Sequence, residues 1–157
     1  GNFAKGSVGF VVQGRDRSGA ETKLLYTSDF AHIPDMSSEL VGCDHLIMQS
    51  FWLNEPVDNR PSHMSFQNAI QYIKRLEPQK ETFLVHMGDA DRVPGDPANH
   101  MAKKYEPKDP LKPLRGEDPY PIPGNQAQWQ KTVDRILSDH DVPYSVTVAH
   151  DNMTVRI

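Results

Sequence analysis

The sequence predicts an α+β protein, in the broad α/β class: one mixed β-sheet with helices packed on one of its faces. Three observations carry that expectation. Short runs rich in β-branched and aliphatic side chains recur along the chain. Two segments between them repeat their apolar residues at the three- and four-residue steps of a helix. Strands interleaved with helices in this way favour a sheet covered by helices.

The elements follow in order. Residues 7–13 (SVGFVVQ) and 22–27 (TKLLYT) are strand-like, and the GRDRSGAE between them supplies the glycine and aspartate of a hairpin turn. Residues 44–51 (DHLIMQSF) form a third apolar run, of the kind found in strands buried on both faces. From His63 to Leu76 the period changes. Phe66, Ala69, Ile70, Ile73 and Leu76 share one helical face, Ser62 or Ser65 is placed to cap the start, and Pro78 closes the end. TFLVH at 82–86 is a fourth strand. Residues 88–124 show almost no periodicity and hold much of the chain's proline, which predicts a lid, a contact arm or a family insertion. Asn125 caps a second helix with Trp129, Val133, Ile136 and Leu137 on one face. YSVTVAH and MTVRI are then expected to close the sheet as two more strands around the turn pair Asp151-Asn152. Several strands are apolar on both sides, so the face away from the two helices needs a cover as well.

At 157 residues the chain is read as a single domain spanning 1–157. The net charge of -4, with its basic residues scattered, speaks against nucleic acid or an anionic membrane as partner. No run is long and apolar enough to cross a bilayer. A single cysteine rules out an internal disulfide and fits a reducing, cytoplasmic setting, with Cys43 packed inertly at a strand entrance.

Three side chains stand out chemically. Asp29 follows LLYTS and His86 ends FLVH, so each sits at the exit of a strand, while His63 opens a helix. Singly, each has an ordinary explanation: a loop cap, a hydrogen-bonded core histidine, a surface imidazole. Strand ends on one edge of a sheet converge, however, and carboxylate oxygen with imidazole nitrogen is the donor set of catalytic zinc, manganese or iron.

The runs LLYTSD, CDHLIMQSFW, HMSFQNAIQYIKRL, FLVHMGD and VTVAHDNMTVRI, in that order, resemble the C-terminal half of the metallo-β-lactamase fold. The similarity is greatest to the branch that holds tRNase Z and the PhnP-type phosphodiesterases. It covers residues 7–91 and 142–157. The resemblance implies half of an αββα sandwich, a metal-bridging aspartate at Asp29, a metal-binding histidine at His86, and a proton donor to the leaving group at His63. AHDNM, residues 149–153, departs at two positions from the A-Y-D-G-M common in that branch. The H-x-H-x-D-H signature of the superfamily is absent, since no two of the seven histidines are two residues apart. In the family it lies upstream of the matched region. The expectation is therefore a portion of a longer protein, with its open sheet face covered by an N-terminal half or by a second copy.

By this resemblance the complete protein is a hydrolase that cleaves a phosphodiester or related small ester with a metal-activated water. It would hold two divalent ions, zinc first and manganese or iron as alternatives. Alone, this chain supplies two matched ligands and is expected to bind metal weakly or not at all. His32, Asp89 and His150 are secondary candidates for the pocket or for orienting a ligand. The competing reading is a non-catalytic interaction domain that keeps the half-fold without a complete metal site.

Overall fold

A computed structural model describes residues 7–58, 63–88, 106–116 and 118–157. It contains β1 (Phe10–Arg15), β2 (Glu21–Tyr26), β3 (His45–Gln49), α1 (Phe66–Leu76), β4 (Glu81–Val85), α2 (Gln126–Asp139) and β5 (Val146–Val148). The strands form one mixed sheet in the order β1-β2-β3-β4-β5. β1 and β2 are antiparallel, and every other neighbouring pair is parallel.

Local chemistry fixes each boundary. In the β1–β2 turn, Asp16 Oδ1 accepts from the backbone amides of Ser18 at 2.8 Å and Ala20 at 3.0 Å. Gly19 there has φ 86, a conformation glycine adopts without steric cost. α1 begins at Ser65, whose hydroxyl accepts from the Asn68 amide, and it ends at Glu77 in the left-handed region. α2 starts at Asn125, whose side chain accepts from the Gln128 amide.

The strand register sorts side chains onto two faces, since neighbours across a ladder point the same way. Leu25, Leu46 and Val146 share one face with Met48, Leu84 and Val148. All six belong to the core, which is completed by Phe66, Ile73 and Leu76 of α1 and Trp129, Val133 and Ile136 of α2. The two helices therefore cover one face, as the sequence predicts. The other face carries Phe10, Val12, Leu24, Tyr26, Ile47, Phe83 and Val85. On it Phe10 is 56 % exposed, Val12 54 % and Tyr26 37 %, which is a contiguous apolar surface on the β1–β2 side.

The structure differs from the expectation in two places. MTVRI is not a strand; it follows a turn in which the Met153 amide donates to the His150 carbonyl. Its alternating pattern suits a strand, but alternation alone supplies no backbone to pair with, and Val155 and Ile157 are left 40 % and 45 % exposed. Within the proline-rich stretch, residues 89–105 and 117 lie outside the described residues. Its later part does not hang free. The Lys108 amide donates to the Glu55 carbonyl, the Leu111 amide to Asn54 Oδ1, and Tyr120, 3 % exposed, gives its hydroxyl to Asp139 Oδ2 at 2.7 Å. That segment is a strap tying the α1 entrance to the end of α2.

Candidate metal centre

Because β2, β3 and β4 are parallel, their C-terminal ends emerge on one edge of the sheet. Asp29 follows β2, with Ser28 at φ 58 turning the chain. Its carboxylate is just past the Thr27 amide, which still donates to Ile47 of β3. His86 follows β4 and itself adopts φ 61. A left-handed φ is uncommon for histidine and turns its side chain out of the pleat. His63 arrives from a different direction. The residues after it pair with the chain leaving β3: the Phe51 amide donates to the Met64 carbonyl at 2.8 Å, and Trp52 bridges Ser65. The sequence reading places His63 as the opening residue of α1, whereas it lies on the extended lead-in before the Ser65 cap.

These three residues meet. One donor atom each from Asp29, His63 and His86 lies within 4.8 Å of the others. His86 Nε2 is 3.5 Å from Asp29 Oδ2, and the two imidazole centroids are 4.8 Å apart at 63°. The site is open to solvent, with the His86 and Asp29 side chains 42 % and 53 % exposed. Burial holds His63 below the ordinary imidazole range, the charge of His86 acts the same way, and Asp29 opposes both. The lowered proton affinity favours the neutral ring, the form of imidazole that binds a metal ion. The proton-donor role expected of it would first require it to gain a proton.

The fit to a divalent cation rests on the donor set. Two imidazole nitrogens and a carboxylate oxygen converge, from three segments, to a separation that one ion with bonds of about 2.0–2.2 Å can span after small side-chain rotations. An exposed centre lets an ion retain water as a further ligand.

The secondary candidates divide. His150 lines a cavity of about 550 Å³ beside His86, with Val85, Met87, Trp129, Val148 and the Gly124–Gln126 entrance to α2. Its Nδ1 lies 2.9 Å from the Asp151 carbonyl oxygen. His32 stands apart from the trio: its Nδ1 is 3.0 Å from the Tyr72 hydroxyl, and it lines a separate, largely apolar recess with Phe10, Leu25 and Ile33. Asp89 lies outside the described residues. Cys43 is fully buried, and burial raises its thiol pKa, which fits inert packing. Sequence reasoning passed over Phe51, whose ring touches both histidines of the trio, because an aromatic residue after a strand signals only core.

A search of curated proteins finds no match. Among solved structures, the chain is similar to the metallo-β-lactamase fold protein YhfI from Bacillus subtilis, at 13 % identity and a TM-score of 0.44. That similarity covers 90 % of this chain and 46 % of YhfI, so the chain spans about half the length of that protein. A family model described as the beta-lactamase superfamily domain matches residues 3–87, which include Asp29, His63 and His86. The chain belongs to the beta-lactamase superfamily.

Proposed function

We propose that this chain carries part of the active site of a metal-dependent hydrolase acting on a phosphodiester or related small ester. The convergence of Asp29, His63 and His86 at one sheet edge is the observation that supports the reading most. Divalent metal binding is general in the superfamily, and a bound ion would supply Lewis acidity and an activated water. Asp29 and His86 would hold it, with His63 completing the set or moving a proton. The cavity beside His86, lined by His150 and Trp129, is of a size that receives a small ligand. Three protein ligands suffice for one catalytic zinc, so a second ion would need donors from a layer packed on the open face of the sheet. An upstream segment in a longer form of the protein, or a second copy of this chain, would supply that layer.

The test is hydrolysis of bis(p-nitrophenyl) phosphate with added zinc or manganese, by this chain and by any longer form. Asp29→Ala or His86→Ala should abolish turnover, and His63→Ala should slow it while metal is retained. Full activity in Asp29→Ala would refute the assignment.

The exposed apolar surface of Phe10, Val12 and Tyr26 favours a second reading, an interaction domain without catalysis. In that case the chain itself binds a partner through this face and shows no metal-dependent turnover.

A further inference from the structure

We propose that Phe51 is a positioning residue whose ring sets the spacing and tilt of His63 and His86, and that position 88 is glycine to admit that ring. The inference rests on the reading of the trio as a metal site, but its geometric core stands without metal. The Phe51 ring is 4.7 Å from the His63 ring, at 29°, so the two stack. It meets the His86 ring edge-on, at 5.3 Å and 89°. One flat side chain thus touches both imidazoles, each in a geometry that aromatic rings favour. Phe51 is itself held. Trp52 packs edge-on against it at 4.7 Å, its amide donates to Met64, and its carbonyl accepts from the Gly88 amide at 3.1 Å.

Gly88 supplies the independent observation. A Cβ at that position would lie 2.1 Å from Cε2 of Phe51 and 2.5 Å from Cζ, far inside contact distance. Gly19 and Gly42 are the described glycines with positive φ, so Gly88 is not required for a left-handed backbone. What it provides is room. A methyl at 88 must displace the ring, and the ring cannot move without releasing one or both histidines. Groups that orient metal ligands in this way typically affect affinity by about 10- to 100-fold.

Three proteins test this: Phe51→Leu, Gly88→Ala and the double variant, each compared with wild type. In the metal-free state, NMR of the wild type should show His63 ring protons shifted upfield by the stacked Phe51, with cross-peaks between the two rings. Phe51→Leu and Gly88→Ala should each lose that shift, and each should weaken zinc binding by about tenfold or more in a direct titration. In the Phe51→Leu background, Gly88→Ala should cost nothing further, because the ring it strikes is gone. Unshifted His63 resonances in the wild type would overturn the proposal, as would an equal Gly88→Ala penalty in both backgrounds. If the wild type shows the stacking shifts but takes up no zinc, the hydrolase reading fails and the wedge survives. The wild-type measurement stands even if a variant does not fold.

Discussion

Replacing Asp29 by asparagine removes one charge from the trio while keeping the shape of the side chain. Its carboxylate is 53 % exposed, so the dielectric of water governs its attraction for a cation. With the full screening of water, a dication held at about 2.1 Å gains about 4 kcal/mol from that charge. The amide oxygen keeps part of it, which leaves an expected loss of about 2–4 kcal/mol, or roughly 30- to 1000-fold in Kd. Isothermal titration with zinc at neutral pH reads this as a ratio between variant and wild type. Burial and the neighbouring His86 lower the proton affinity of His63, which reduces how much proton release from that ring masks the difference. A change of less than about threefold, around 0.6 kcal/mol, would mean that Asp29 is not a ligand and that its place beside His86 is an ordinary surface pairing.

Tyr120→Phe removes the bond to Asp139 that pins the strap, and it should lower unfolding stability by about 1.5–3 kcal/mol in urea without changing zinc affinity. Loss of zinc affinity in that variant would show that the strap shapes the metal centre. Ser65→Ala deletes the α1 cap and should cost about 1 kcal/mol by the same denaturation assay. Stability should also fall as the solution is acidified below pH 6.5. Burial holds His45 and His63 below that value in the folded protein, so the unfolded chain takes up their protons first. The urea midpoint should be higher at pH 8 than at pH 5.5, and an equal or lower midpoint at pH 8 would contradict the sign.

Much of the fold was legible because it rests on periodicity. The α1 face from Phe66 to Leu76 and the α2 face from Trp129 to Leu137 are buried where the three- and four-residue steps place them. The cap at Asn125 was equally clear, since a short polar side chain before an amphipathic run has few other uses. MTVRI misled because period-two alternation describes how a strand would be buried, not whether a partner is available. Asp29 and His86 were visible as strand-end residues, and parallel pairing brings such ends together. The backbone turns at Ser28 and His86 that aim them were not visible, because left-handed conformations of ordinary residues leave no sequence mark. His32 was proposed for its nearness in sequence to Asp29, yet the chain carries it toward Tyr72 of α1. The contact between Phe51 and Gly88 joins residues far apart in sequence, and a single chain gives no sign of it.

X-ray absorption at the zinc edge, on this chain loaded with one equivalent of zinc, tests the central claim most directly. The account predicts two imidazole nitrogens and a carboxylate oxygen at about 2.0–2.2 Å, with one histidine lost from the spectrum in His63→Ala and one in His86→Ala. A spectrum of oxygen ligands alone, unchanged by either substitution, would contradict it.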